Sequence, residues 1–203
     1  MIILHHIRHT ADKHWATCTD IYLEAFPIDE QRPTDDIARL IETDRRYCAM
    51  ALIDDTHGCI GLLTSWQFTD FTYIEHFAIK PSLRAMGYGT ASLNTFTQSL
   101  STPIILEVEP PTDSFTQRRI RFYERCGLTL YLYDYIQPPY TPDRFPVALR
   151  LMGTITQPNL TQIAHTLHRE VYDVNYHKES LNKKNDEALS QSSSRRHIPP
   201  IRR

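Results

Sequence analysis

The sequence predicts a mixed α/β fold, in which helices flank a central mixed sheet of six to seven strands. Short apolar runs separated by Gly, Pro and Asp are typical of strands. Between some of these runs, apolar residues recur three or four positions apart, which is the spacing of an amphipathic helix. The element order, β-α-α-β-β-β-α-β-α-β-β with a closing helix, favours one sheet with helices on its faces.

The first part of the chain predicts one strand and two helices. Residues 1–9 alternate enough to form the first strand. Residues 15–26 carry apolar side chains at helical spacing until Pro27 ends the helix. Residues 33–43 begin with Pro-Thr-Asp-Asp, a helix start, and place their apolar residues on one side.

Three strands are predicted next, over residues 47–54, 59–68 and 71–79. The first two are separated by Asp-Thr-His-Gly, which is typical of a hairpin turn, and the last two by a short polar turn near Asp70. Because the connections are this short, we expect an antiparallel meander.

The following segments predict a helix over 90–100, a strand over 104–108 and a helix over 113–125. Ser114 and Gln117 stand in a capping-box arrangement that predicts the start of the last helix. Gly127 stands where a left-handed cap would end it.

The last third predicts strands over 128–136 and 147–152, joined by a proline-rich stretch, and an amphipathic helix over 159–176. Residues 177–203 are polar and Ser-rich, and their few apolar side chains cannot offset the entropy of ordering the chain. We therefore expect one domain over residues 1–176 and a disordered tail over 177–203.

Charge is distributed unevenly between these two parts. The net charge of −2 combines 15 Lys and Arg against 21 Asp and Glu in residues 1–176 with 7 against 3 in residues 177–203. An acidic body with a basic tail argues against a nucleic-acid-binding domain, which needs a concentrated Lys/Arg face. The tail leaves weaker nucleic-acid association as a testable alternative, and the acidic body is compatible with a cationic or amine substrate.

The spacing of the cysteines and the lengths of the apolar segments indicate where in the cell the protein is expected. The four cysteines, at positions 18, 48, 59 and 126, show no CxxC or CxxH spacing, so we expect reduced structural thiols. The N-terminal apolar run is too short for a signal peptide, and no stretch approaches the roughly 18 apolar residues of a membrane span. We expect a cytoplasmic protein without membrane contact.

The segment from Ile79 to Thr90 carries the strongest functional pattern. A strand ends, a short loop turns, and a helix begins directly after Gly87 and Gly89. Backbone N–H groups then converge at the positive end of a helix dipole, the glycines allow close approach, and Arg84 adds a charge. The pattern predicts a site for a pyrophosphate, although two glycines alone also fit an ordinary strand-to-helix turn.

Neither common dinucleotide motif fits this segment. Ser92 stands where the third glycine of GxGxxG would be, and the Lys-Ser/Thr ending of a P-loop is missing. The order Arg84-x-x-Gly87-x-Gly89 remains, and the segment 75–100 resembles the acetyl-CoA motif of the GNAT superfamily of N-acetyltransferases.

A second segment strengthens the resemblance. Residues 116–128 are similar to the family's later helix, with Tyr123 four residues before a glycine and a strand after it. The sequence departs from the family at Thr116, Arg119 and Leu128, where asparagine, alanine and phenylalanine are usual. The resemblance extends over about residues 1–153 and implies a GNAT-like fold.

The resemblance implies acetyl-CoA as co-substrate and assigns its binding residues. The backbone of Phe77 and Ile79 would pair with the pantetheine arm, and residues 84–90 would hold the pyrophosphate. The full implied set is Phe77, Ala78, Ile79, Arg84, Ala85, Met86, Gly87, Tyr88, Gly89, Thr90 and Thr116.

The resemblance also implies catalytic roles. Tyr123 would lie near the thioester sulfur and protonate the leaving thiolate, although a buried packing ring is the alternative. Glu75 would remove the amine proton, because strand alternation places it on one face with Tyr73 and Phe77 and places His76 on the opposite face. A solvated strand carboxylate is the alternative for Glu75.

The implied activity is an acyltransferase reaction, in which acetyl moves from acetyl-CoA to a primary amine by direct attack. A non-catalytic acyl-CoA-binding sensor or regulatory module is the alternative. No metal is expected, because the histidines have no carboxylate or cysteine partner at ligand spacing. The acceptor, a small-molecule or protein amine, and the oligomeric state, a homodimer included, stay open.

Overall fold

A central sheet with helices on both faces forms the body of the computed structural model, which describes residues 1–172. The strands are β1 (Ile2–Ile7), β2 (Tyr47–Asp54), β3 (Gly58–Gln67), β4 (Thr72–Ile79), β5 (Ile104–Val108), β6 (Thr129–Leu130), β7 (Tyr135–Gln137) and β8 (Val147–Gly153). The helices are α1 (Trp15–Ala25), α2 (Thr34–Thr43), α3 (Tyr88–Gln98), α4 (Ser114–Arg125) and α5 (Leu160–Glu170). Short 3-10 turns occupy Ile28–Glu30 and Pro81–Leu83. The predicted mixed α/β fold is confirmed.

The strands follow the order β1-β2-β3-β4-β5-β8-β6, and β7 pairs with β8 outside this path. Strands β1 to β4 are antiparallel neighbours, so the predicted meander is present. Strand β5 joins β4 in parallel, which requires a crossover connection that α3 supplies. The C-terminal strand β8 inserts between β5 and β6.

Two apolar layers hold the helices to the sheet. One face packs α1, α2 and α5 around Tyr22, Trp66 and Leu167, and the other packs α3 and α4 around Leu63 and Leu93. These five side chains are at most 2% exposed. Full burial of one such side chain contributes about 1.5–3 kcal/mol, so both faces stabilise the sheet.

The start of α4 differs by one residue from the sequence prediction. Asp113, not Ser114, is the N-cap, and its carboxylate accepts hydrogen bonds from the backbone N–H groups of Phe115 and Thr116. Thr116, not Gln117, completes the capping box. The ionised Asp113 side chain also interacts favourably with the positive end of the helix dipole.

The region predicted as one strand over residues 128–136 is divided. Residues 131–134 turn away from the ladder, leaving the short strands β6 and β7, which pair with opposite ends of β8. The Tyr133 N–H bonds to the carbonyl of Tyr131 in this turn, at 3.0 Å. The sheet therefore has eight strands within residues 1–172 rather than the six to seven predicted.

The C-terminal helix ends near Glu170, and Val171 and Tyr172 then fold back onto the core. The predicted domain boundary at residue 176 and the tail over 177–203 lie outside the described residues. Within residues 1–172, no helix has the length and apolar character that crossing a bilayer requires.

Candidate active site

A cleft opens where β4 and β5 separate. These parallel strands pair only from Thr72–Ile104 to Ile74–Leu106, and beyond that point no strand of residues 1–172 lies between their facing edges. The cleft has a volume of about 690 Å³ and is lined by residues 74–79 of β4, residues 106–109 at the end of β5, and parts of α4. Its apex therefore lies at the last paired residues of two central strands.

The loop between β4 and α3 forms one end of this cleft. Gly87 (φ 87°) and Ala85 (φ 62°) both adopt left-handed backbone conformations. Helix α3 then begins at Tyr88 with no side-chain cap, so the N–H groups of its first turn have no partner within the helix. Uncapped N–H groups at the positive end of a helix, turned by a left-handed loop, suit an anion such as a pyrophosphate.

Ala85 shows that this loop holds a conformation its side chain disfavours. A non-glycine residue in the left-handed region costs about 1–2 kcal/mol. The Arg84 side chain donates a hydrogen bond from Nε to the carbonyl oxygen of Ile79 at 3.0 Å, which links the loop to the end of β4. The rest of the fold therefore holds the loop in a strained and preorganised shape.

Most of the predicted cofactor-binding residues line the cleft, namely Phe77, Ala78, Ile79, Arg84, Ala85, Gly87, Gly89 and Thr90. Three do not. Met86 is 58% exposed, the Tyr88 hydroxyl bonds to Nδ1 of His57 at 2.9 Å, and the Thr116 hydroxyl is engaged in the capping box of α4. Met86 and Tyr88 can therefore contribute backbone groups of the loop, but their side chains do not reach the cleft.

Gly89 brings α3 close to α4. A Cβ atom built at Gly89 would lie 3.4 Å from two ring atoms of Phe122 and 3.9 Å from Ile79. Phe122 and Ile79 both line the cleft. Glycine at this position therefore lets the start of α3 pack close to the Phe122 ring that lines the cleft.

Tyr123 lines the cleft from α4. The side chain is 8% exposed and packs against Phe122 with ring centroids 5.0 Å apart. Burial raises the pKa of its hydroxyl to about 12, so the group carries its proton at neutral pH. A protonated hydroxyl in the cleft can act as a proton donor.

Glu75 also lines the cleft, but in a setting that differs from both sequence interpretations. It is buried, so it is not a solvated strand carboxylate. Oε1 accepts hydrogen bonds from Arg32 (Nη2, 2.7 Å) and Tyr140 (3.0 Å), and Oε2 accepts one from the Trp66 indole (3.1 Å). Burial alone would raise the pKa of this carboxyl, yet the Arg32 guanidinium holds it below its usual value.

The predicted strand alternation at Glu75 is wrong because β4 contains a bulge. Ile74 pairs with Ser65 and His76 pairs with the adjacent Thr64, so Glu75 is an extra residue in β4. Glu75 and His76 consequently contact the same core, whereas Phe77 packs on the opposite face. His76 is buried against Tyr22 and Thr64, and burial lowers its pKa.

Two carboxylates that line the cleft, Glu30 and Glu107, were not among the residues predicted from the sequence. Burial raises the pKa of each to about 7, and Glu109 adds to the effect at Glu30. Glu107 could have been found from the sequence, since it is the only charged residue in the otherwise apolar strand Ile104–Val108. Glu30 lies in a polar loop that gave no comparable signal.

Charge is separated across the cleft. Arg84, Arg118 and Arg125 line it beside α3 and α4. Glu75 and Glu107 bond instead to Trp66 and Tyr172, which belong to the core on the opposite face. The arginines therefore favour an anion on one side of the cleft, and Glu107 offers a carboxylate without an ion pair to a cation on the other.

The four cysteines are free thiols. Cys126 lies outside the cleft lining, and burial raises its pKa. Among residues 1–172, no cluster of three or more His, Cys, Asp or Glu side chains is arranged to hold a metal ion.

The family model of the acetyltransferase (GNAT) family matches residues 15–128, which include the bulged strand β4, the 84–90 loop and all of α4. This chain belongs to the GNAT family. The match ends at Leu128, so the Tyr140 and Tyr172 hydroxyls that bond to Glu75 and Glu107 come from outside the matched segment.

Solved structures of other GNAT proteins share the fold. A GNAT-family protein from Bacteroides thetaiotaomicron, described as a putative acetyltransferase, is 34% identical, with a TM-score of 0.78 over 84% of this chain and 98% of the other. Spermidine N-acetyltransferase from Vibrio cholerae, solved with CoA and spermine, is 12% identical, with a TM-score of 0.57 over 75% of this chain and 94% of the other.

A third GNAT structure is the ribosomal-protein-S18-alanine N-acetyltransferase from Escherichia coli. It is 16% identical, with a TM-score of 0.51 over 78% of this chain and 98% of the other. At such low identity, the second and third structures support the GNAT fold alone. No curated protein matches the sequence.

Proposed function

We propose that this GNAT protein transfers the acetyl group of acetyl-CoA to a primary amine by direct attack of the amine on the thioester. The observation that carries the proposal is one cleft lined by a loop with an uncapped helix start, a protonated tyrosine and buried carboxylates. An anionic donor and a cationic acceptor can therefore enter from opposite faces and meet between β4 and β5.

The 84–90 loop is the proposed site of the cofactor pyrophosphate. Its uncapped helix start supplies N–H donors, and Arg84 and Arg118 supply positive charge beside it. Within residues 1–172 the edge of β4 beyond Ile74 has no partner strand on the cleft side, so its backbone groups, apart from the Ile79 carbonyl that Arg84 occupies, can bond an extended pantetheine arm.

Tyr123 is the proposed acid that protonates the departing thiolate. Its burial keeps the hydroxyl protonated, and its place on α4 lies beside Phe122 at the cleft wall. The thiols do not favour a covalent acetyl-enzyme. Cys126 has a raised pKa, and Cys59, whose pKa a hydrogen bond from Cys18 lowers to about 7, lies outside the cleft lining.

Thiol release from acetyl-CoA tests the proposal. The protein is incubated with acetyl-CoA and a panel of primary amines comprising an alkylamine, an α,ω-diamine, an amino sugar and a lysine peptide, with an amine-free control. Amine-dependent release above that of a protein-free control, with a product heavier than the amine by one acetyl group (about 42 Da), supports transfer, since a non-catalytic sensor does not accelerate amide formation. Tight acetyl-CoA binding without release from any amine would instead support a non-catalytic acyl-CoA sensor.

A further inference from the structure

Two carboxylates stand at the apex of the cleft. The last residues that pair β4 with β5 are Ile74 and Leu106, and the next residue on each strand is a glutamate, Glu75 and Glu107. Both line the cleft. The sheet therefore holds two acids where the edges of its parallel pair first separate.

The two acids differ in how their oxygen atoms are occupied. Both oxygens of Glu75 accept hydrogen bonds, and Arg32 neutralises its charge. Glu107 accepts a bond at Oε2 from the Tyr172 hydroxyl at 2.8 Å, and, against the burial that raises its pKa, the hydroxyls of Tyr73 and Tyr135 also act to lower it. Its buried Oε1 makes no hydrogen bond of good geometry within residues 1–172, so Glu107 is the apex carboxylate with an oxygen that no described group occupies.

The groups that act most strongly on Glu107 are tyrosine hydroxyls and one carboxylate. Tyr73 and Glu75 face it from β4, Tyr135 from β7, Tyr140 from the proline-rich loop and Tyr172 from the end of α5. On β8 its pairing partner is Leu151. The neighbours supply hydroxyl groups and one negative charge, so burial dominates and raises the pKa of Glu107 to about 7.

From this arrangement we infer that Glu107, rather than Glu75, is the general base that deprotonates the acceptor amine. The inference rests on the proposed transfer reaction. Glu75 is held ionised by its ion pair with Arg32 and both of its oxygens are occupied, so it has no oxygen left to accept the amine proton. The Tyr172 hydroxyl orients the Glu107 carboxylate and is a positioning residue.

The reaction removes two protons from the acceptor nitrogen and breaks the carbon–sulfur bond of the thioester. An ammonium group gives one proton to Oε1 of Glu107, and the freed nitrogen lone pair forms the bond to the thioester carbonyl carbon. The carbon–sulfur bond breaks with its electron pair on sulfur, and the Tyr123 hydroxyl gives sulfur a proton. The second nitrogen proton restores Tyr123, and Glu107 releases its proton to solvent, leaving an amide and a free thiol.

Glu30 is the competing candidate for the general base, since burial also raises its pKa to about 7. Its carboxyl is influenced by Glu109 and Arg119, which lie at the end of β5 and on α4. Glu107 lies beside the last paired residues at the apex, where the amine and the thioester would have to meet. Position therefore favours Glu107.

The test compares E107Q with E30Q and with E42Q, which replaces an exposed carboxyl on α2. With the best amine of the panel, E107Q should lower kcat by about 10²- to 10⁴-fold while acetyl-CoA affinity measured by calorimetry stays unchanged. E42Q should retain wild-type kcat. Y172F should move the acidic limb of the kcat profile to higher pH with its plateau retained, because a bond that stabilises the carboxylate is lost.

The pH profile separates a base from a packing residue. Wild-type kcat should rise with pH through about 7, the value to which burial raises the pKa of Glu107, and E107Q should lack this limb and regain activity only at alkaline pH. A folded E107Q with wild-type kcat would overturn the inference, as would loss of the limb in E30Q alone. Absence of amine-dependent thiol release in the wild type would instead overturn the transfer reaction itself.

Discussion

Arg32 donates two hydrogen bonds to one oxygen of Glu75, from Nε at 3.0 Å and from Nη2 at 2.7 Å. The arginine and glutamate side chains are 8% and 0% exposed. The guanidinium also bonds to the Val171 carbonyl and lies 4.6 Å from the centre of the Tyr140 ring. This ion pair ties the loop after α1, strand β4 and the C-terminal end of the described chain together beside the cleft.

Breaking the Arg32–Glu75 pair from one side should destabilise the fold. Arg32→Met leaves the Glu75 carboxylate buried without its cation, so we expect the free energy of unfolding to fall by about 3–5 kcal/mol. Urea denaturation followed by Trp fluorescence measures this change. The double variant R32M/E75L removes both charges and should recover much of the loss; equal stability of R32M and wild type would show that the pair does not stabilise the fold.

Stability should fall as pH rises through the range in which Glu107 and Glu30 titrate. Burial raises the folded-state pKa of each to about 7, above the ordinary value of 4.5. Between these values the folded state binds more protons than the unfolded state, so the stability contribution is present below about pH 4.5 and is lost toward pH 7.

The Glu107 share of this pH dependence is measurable with E107Q. At pH 8 we expect E107Q to be more stable than wild type by about 1–3 kcal/mol, because it removes a buried charge, and the difference should vanish near pH 5. Denaturation at both pH values provides the test, with E42Q as control. A constant difference between E107Q and wild type would mean that Glu107 does not titrate in this range.

Gly89→Asp should abolish acetyl-CoA binding. The substitution places a carboxylate beside the N–H groups proposed to hold the pyrophosphate, and its Cβ lies 3.4 Å from the Phe122 ring. Gly89→Ala adds the same Cβ without charge and serves as the matched control, for which we expect a smaller loss of affinity. Calorimetric titration that finds equal affinity in a folded G89D protein would place the pyrophosphate elsewhere.

Tyr123→Phe should slow turnover without weakening cofactor binding. The ring and its contact with Phe122 remain, so only a hydroxyl proposed to act on charge that develops in the transition state is lost. We expect kcat to fall by about 10²-fold or more, since general acids contribute about 10²–10⁴-fold, and acetyl-CoA affinity to stay within about twofold. Full turnover in Y123F would leave Tyr123 as a packing residue.

Local patterns were sufficient to predict the helices, the meander of β2 to β4 and the loop over 84–90. Each depends on residues close together in the chain, such as the alternating apolar residues of a strand or Gly87 and Gly89 before a helix. The helix that carries Tyr123 followed in the same way, whereas the place of Tyr123 near the thioester came from the resemblance to the GNAT family.

The tertiary structure alone decided the chemical state of the carboxylates. Glu75 is separated by 43 residues from Arg32 and by 65 from Tyr140, and a bulge in β4 places it on the face opposite Phe77, with which strict alternation groups it. Glu107 meets Tyr172 across 65 residues. The pKa of a buried acid depends on the solvent it loses and the partners it gains, and both are fixed only when distant segments pack together.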